Sequence, residues 1–127
     1  MKILVIDDEA SVRYTLARIL VNGGYEVVMA EDGEHGLAMF HKDRPDLVIC
    51  DLIMPHRDGI ETIAQIRRES RAMKIIAISG GNRALSVAPF MNVDGLATAL
   101  ETGANDIILK PFRAEDLLSR VANVLAG

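Results

Sequence analysis

The sequence predicts a doubly wound α/β domain: a five-stranded parallel sheet in the order 2-1-3-4-5 with helices on both faces. Three observations carry this. Short apolar runs rich in Val and Ile alternate five times with segments of helical periodicity. Those runs are apolar at consecutive positions, the mark of strands covered on both faces. The runs Ile3 to Ile6 and Leu47 to Cys50 are the most apolar and belong at the centre, whereas the second run carries Tyr25 and Glu26 and suits an edge.

In chain order, Ile3 to Ile6 is the first strand, ended by Asp7-Asp8-Glu9. Leu16, Ile19 and Leu20 recur at helical spacing through Ala10 to Asn22, and Gly23-Gly24 stops that helix. Tyr25 to Met29 is the second strand. Asp32-Gly33 opens a helix with Leu37, Ala38 and Phe40 on one side. Pro45-Asp46 turns the chain into the third strand, Leu47 to Asp51. A charge inside a covered sheet is costly, so Asp51 belongs where that strand emerges. Pro55 fixes the next loop, and a helix starts near Asp58. Ile60, Ile63, Ala64 and Ile66 are its apolar stripe, and Arg67, Arg68 and Glu69 end it. Met73 to Ile78 is the fourth strand, closed by Ser79-Gly80-Gly81. Leu96 to Leu100 is a short helical segment, with Asp94 as N-cap and Gly103 past its end. Asp106 to Leu109 is the fifth strand, followed by Lys110-Pro111. Glu115 to Leu125 closes the chain as a helix, with Leu117, Leu118, Val121, Val124 and Leu125 facing inward. Right-handed crossovers then place helices on both faces.

The 127 residues fit a single domain, 1–127, and a 50% hydrophobic content supplies its core; with 4% aromatics, that core is aliphatic. The net charge of −4 argues against a nucleic-acid surface, and no direct nucleic-acid contact is expected. One Cys allows no internal disulfide and points to a reducing compartment. No apolar run approaches the ~20 residues of a membrane helix, and the early first strand leaves no room for a signal peptide. A soluble cytoplasmic domain without membrane contact is expected.

In this architecture all parallel strands end on one side. The first strand ends in Asp7 and Asp8, the third in Asp51, the fourth in Ser79 and the fifth in Lys110. The first and third strands flank the topological switch point, where such folds bind ligands. Three acids brought that close must either take up a proton or be neutralised by a cation. An all-oxygen ligand set suits Mg²⁺. A divalent ion beside a carboxylate, a Lys and a hydroxyl is an apparatus for phosphoryl transfer, with Asp51 as nucleophile forming an acyl phosphate. Singly, each residue has an ordinary reading: Asp8 as an N-cap, Asp7 and Lys110 as solvated charges, Ser79 as turn chemistry. Jointly those readings require coincidence at four strand ends. Cys50 reads as a small buried hydrophobe, and His35, His41 and His56 as scattered surface residues.

Taken together, Ile3-Leu4-Val5-Ile6-Asp7-Asp8-Glu9, Asp51-Leu52-Ile53-Met54-Pro55 with Asp58-Gly59, Ser79, and Gly103-Ala104-Asn105-Asp106 running on to Lys110-Pro111-Phe112 make the chain resemble, end to end, the receiver domain of bacterial two-component response regulators, of the CheY-like, flavodoxin-like fold. The resemblance implies that Asp51 accepts a phosphoryl group from a histidine kinase or a histidine phosphotransfer protein. It implies that Asp8, Asp51 and the backbone carbonyl of Ile53 ligate Mg²⁺, with Asp7 acting largely through water. Lys110 would pair with the phosphoryl oxygens, Ser79 would move to hydrogen-bond one of them, and the Lys110-Pro111 bond would be cis. Partners, whether a downstream target or an output domain, would read the face formed by the fourth helix, fifth strand and fifth helix (α4-β5-α5). A homodimer stays open.

The sequence departs from that family at two places. Ile107 stands where the family commonly carries an aromatic residue coupled to the hydroxyl, so it has no ring to swing. The segment from Ser79 to Lys110 is longer than usual, its extra residues lying around Asn82 to Val93; it reads as a longer loop packing its own apolar residues, or as a lid or partner surface beside Ser79. Ile53 and Gly81, two positions beyond Asp51 and Ser79, offer no side chain to orient an attacking water, which predicts slow or moderate self-dephosphorylation.

Other functions fit less well. A Mg²⁺-dependent phosphatase with an Asp nucleophile would have a second acid where Ile53 stands. A flavin carrier would need a Ser/Thr/Gly phosphate loop where Asp7-Asp8-Glu9 would repel phosphate. A degenerate receiver that only docks would not need the intact set of acids, hydroxyl and Lys. The domain is therefore expected to be no enzyme beyond its own phosphorylation and dephosphorylation.

Overall fold

The structure, a computed structural model, describes residues 1–52, 59–80 and 99–127. Within them five strands, β1 (Lys2–Ile6), β2 (Glu26–Ala30), β3 (Leu47–Asp51), β4 (Lys74–Gly80) and β5 (Asp106–Lys110), form one parallel sheet in the order β2-β1-β3-β4-β5. The helices between them are α1 (Ala10–Asn22), α2 (Gly33–Asp43), α3 (Gly59–Glu69), the helical residues 99–102, called α4, and α5 (Ala114–Ala126). The doubly wound order read from the sequence is the one observed.

The consecutive apolar residues of the central strands divide between two cores. Ile3, Val5, Leu47, Ile49, Ile76 and Ile78 face Leu16 and Leu20 of α1 and Leu117 and Val121 of α5. Their neighbours Leu4, Ile6, Val48, Cys50, Ile75 and Ala77 face Phe40 of α2, Ile63 and Ile66 of α3, and Ala99. Alternation of side chains across a strand makes this division automatic once both faces are covered. Cys50 is fully buried, as a small hydrophobe.

The helix boundaries follow local chemistry. Asp32 caps α2, its Oδ1 accepting from the His35 N–H at 2.7 Å. Gly23 closes α1, and Gly103 stands just past α4. On α2, Phe40 is buried and Leu37 and Met39 pack against the core, whereas Ala38, read as inward-facing, is exposed. Arg67, read as a charge ending α3, is instead partly buried. Its guanidinium donates to the carbonyls of Arg71 and Gly103, each at 2.6 Å, tying the end of α3 to the turn after α4. Burial pushes its pKa down.

The fourth strand differs most from the sequence reading. It does not close at Ile78 but continues through Ser79 and Gly80, which pair with Leu109 and Lys110 of β5. Gly80 permits this, because a Cβ there would fall on the Lys110 side chain and lie 2.8 Å from its backbone nitrogen. The expected helix start near Asp58, the loop at Pro55, the Ile53 carbonyl, His56, Gly81, the Asp94 cap and the long segment Asn82 to Val93 lie outside the described residues.

Candidate functional site at the carboxyl ends of the strands

Register alone brings the acids together. Ile6 of β1 is level with Cys50 of β3, so the next residues, Asp7 and Asp51, leave neighbouring strands side by side. Asp51 is in turn level with Ile78, which places Ser79 one step further along β4. Ile78 is level with Ile108, which places Lys110 two steps further on β5. The tight packing beneath the site is completed by Gly59: a Cβ on it would strike the Asp51 carbonyl oxygen and lie 2.6 Å from the Leu52 Cα.

Asp7, Asp8 and Asp51 each present a carboxylate oxygen, and the three lie within 4.8 Å of one another. Lys110, at the end of β5, extends across the sheet end toward the carboxylates that follow β3 and β1. Its Nζ donates to Asp7 Oδ2 at 3.2 Å and pairs with Asp51 Oδ2 at 3.7 Å. The Lys110-Pro111 peptide is cis, as the family resemblance implies. Asp7 and Asp51 are buried, Asp8 and Lys110 half-buried, and Ser79 buried with 6% of its surface exposed. All five described residues singled out from the sequence therefore converge on one end of the sheet.

Burial pushes the Asp7 carboxyl above its ordinary pKa. The Glu9 N–H, which donates to its Oδ1 at 2.9 Å, and the Lys110 ammonium pull the other way without cancelling that effect. Three carboxylates against one ammonium make a locality that favours added positive charge. The donor set fits Mg²⁺ on this geometry. Two oxygens bound to one Mg²⁺ at 2.0–2.1 Å stand at most about 4.2 Å apart, so carboxylates already within 4.8 Å need little movement, or one bridging water, to ligate it.

One contact had no sequence signal. Arg13 of α1 donates from Nη1 to the Asp7 carbonyl at 2.7 Å. A lone Arg on an amphipathic helix is ordinarily a solvated charge, and nothing in its spacing points back to the strand end. His41, by contrast, is on the surface as expected but pairs with Glu69, Nε2 to Oε1 at 2.7 Å.

Comparison with known proteins agrees with this geometry. Residues 3–122 match the model of the response regulator receiver domain. The chain is 44% identical over 124 residues to the ycf27 protein of Porphyridium aerugineum, named as a probable transcriptional regulator, covering 98% of this chain and 48% of that protein. It is 36% identical over 125 residues to the response regulator MprA of Mycobacterium avium (strain 104), covering 98% of this chain and 51% of that one. The chain thus spans about half the length of these curated relatives. The crystal structure of the receiver domain of NtrX from Brucella abortus superposes with a TM-score of 0.87 at 30% identity, covering 98% of both chains. Among the described residues no helix is long and apolar enough to cross a membrane. An acidic crevice at the carboxyl ends of a 2-1-3-4-5 sheet, with a Lys across it and a family match over nearly the whole length, has one reading: the chain belongs to the response regulator receiver domains, the signalling domains of two-component systems.

Proposed function

We propose that Asp51 is the phosphoacceptor of this receiver, taking a phosphoryl group from a histidine kinase or histidine phosphotransfer protein. A carboxylate oxygen of Asp51 attacks phosphorus, the phosphorus–nitrogen bond of the donor phosphohistidine breaks, and the imidazole leaves with a proton from solvent. The observation that carries this reading is the placement of Lys110 Nζ against both Asp7 and Asp51. An ammonium held there can stay with Asp7 while meeting the oxygens of a phosphoryl group on Asp51.

Asp8, Asp51 and the Ile53 carbonyl would hold Mg²⁺, with Asp7 acting through water. When bound there, the ion would offset the charge on the phosphoryl oxygens. Ser79, one step beyond the level of Asp51, supplies a hydroxyl that can donate to a third oxygen. Phosphorylation adds roughly −1.5 to −2 of charge and new acceptors, which draw Ser79 and the segment after it and shift the population toward an altered α4-β5-α5 face. That face would be read by an output domain or a separate target protein, or by a second copy of the chain. Ile53 and Gly81 lack side chains to orient water, so the acyl phosphate is expected to be lost slowly. The chain signals and has no turnover on external phosphoesters in this reading.

Intact-mass spectrometry after treatment with acetyl phosphate and Mg²⁺ tests the proposal. One phosphoryl adduct in the parent and none in Asp51→Asn is expected. Undiminished labelling of Asp51→Asn would overturn the assignment. No adduct on the parent would favour a receiver that only docks, and continuous release of phosphate from many esters would favour a phosphatase.

A further inference from the structure

Every polar group of Asp7 is engaged. Its N–H donates to the Ala30 carbonyl at 3.1 Å, Oδ1 accepts from the Glu9 N–H at 2.9 Å, and Oδ2 accepts from Lys110 at 3.2 Å. Its carbonyl accepts from the Arg13 guanidinium at 2.7 Å. The first three partners are a neighbouring strand, the turn itself and the site's own ammonium. Arg13 comes from elsewhere, one turn into α1, a helix that begins without a side-chain cap and without an acid in its first turn.

The carbonyl that Arg13 holds belongs to the peptide plane joining Asp7 to Asp8. Holding that plane restrains ψ of Asp7 and, with α1 anchoring the chain from Ala10, φ of Asp8, and with them the direction in which the Asp8 side chain leaves the backbone. Such a constraint bears on Asp8 more than on Asp7, whose own N–H is held by β2. Asp8 has left the sheet, and it is half-buried where Asp7 and Asp51 are buried. We propose that Arg13 is a positioning residue of the acidic site, orienting the Asp7–Asp8 peptide so that the Asp8 carboxylate is aimed for a divalent cation. Arginine suits the task because its planar guanidinium keeps its charge and its orientation when partly buried.

The inference rests on the proposed Mg²⁺ site, and its sign is diagnostic. A fixed positive charge beside three carboxylates repels a cation, so charge alone predicts that removing Arg13 tightens Mg²⁺ binding. Positioning predicts the reverse.

The test is calorimetric titration of Mg²⁺ into the full chain, with urea unfolding as a check on the fold. Arg13→Gln and Arg13→Met, the second retaining side-chain length and packing, should each weaken Mg²⁺ binding about tenfold, as loss of an outer-shell bond commonly does. Arg13→Lys, still able to donate to the carbonyl, should fall between Arg13→Met and the parent. Labelling by acetyl phosphate should drop in Arg13→Met at low Mg²⁺ and recover at saturation. Arg18→Gln, the same charge change five residues on, should bind Mg²⁺ within about twofold of the parent. Affinity in folded Arg13→Gln or Arg13→Met equal to or tighter than the parent's overturns the inference, as does Arg13→Lys no better than Arg13→Met. A parent that binds no Mg²⁺ overturns the proposed metal site and this inference with it; a parent that binds, with indifferent Arg13 variants, overturns this inference alone.

Discussion

Lys110 stands closer to Asp7 than to Asp51, its Nζ 3.2 Å from one and 3.7 Å from the other. It therefore neutralises first the carboxylate that is wholly buried. Removing the ammonium leaves three acids with that compensation gone. Lys110→Met should lose about 2–4 kcal/mol in urea unfolding without divalent cations, and Mg²⁺ should restore part of it. At ten times its dissociation constant a ligand specific to the native state adds about 1.4 kcal/mol. A Lys110→Met protein as stable as the parent in metal-free buffer would refute the role given to the ammonium.

The raised pKa of Asp7 makes a second prediction, for the metal-free protein. The folded state holds this proton more tightly than the unfolded chain, whose aspartate value is 3.8. Between the two pKa values the native state binds more protons, so stability falls as pH rises through that window and stays lower above it. Asp7→Asn removes the cost, and Lys110 keeps Asp51 as a partner. The variant should gain about 1 kcal/mol at pH 7, with the gain fading on acidification through the window. Urea midpoints at pH 7 and pH 4 decide it; a pH-independent difference, or a loss at pH 7, contradicts the prediction.

The pair His41–Glu69 links the last turns of α2 and α3. The His41 hydrogen bond holds the Glu69 carboxyl below its ordinary 4.5. For a depressed acid the sign is opposite: its contribution is present above 4.5 and lost as pH falls through the folded value. The pair is exposed, so the informative readout is the titration of the Glu69 side-chain carbon by NMR. Its midpoint should lie below 4.5 and move up in His41→Ala. An unchanged midpoint would mean the bond does not persist in solution.

Gly80 is where β4 and β5 approach beside Lys110. Gly80→Ala forces a methyl group against the Lys110 side chain and backbone. It should cost about 1–3 kcal/mol and slow labelling by acetyl phosphate, because Lys110 must move. Retention of both the urea midpoint and the labelling rate would show that the strands part there at no cost.

The main features of the site were legible because charges interrupt apolar runs. Asp7, Asp51 and Lys110 each stop a stretch too hydrophobic to end in water by chance, and parallel pairing brings such ends together. Ser79 was legible as a site residue, but that β4 continues through Ser79 and Gly80 was not, because both read as turn residues closing the strand. A glycine in a sequence does not reveal whether a neighbouring backbone is close enough to need it.

Strand identity, sheet order and the gathering of acids at one end were determined by the sequence alone, through the hydrophobic pattern and the rules of parallel crossover. Which of the two carboxylates Lys110 favours, the reach of Arg13 back to the Asp7 carbonyl, and the use of Arg67 to tie α3 to the turn after α4 were decided only in three dimensions. Long flexible cations carry no periodic signature. Their partners are set by distances that exist only after the sheet has formed.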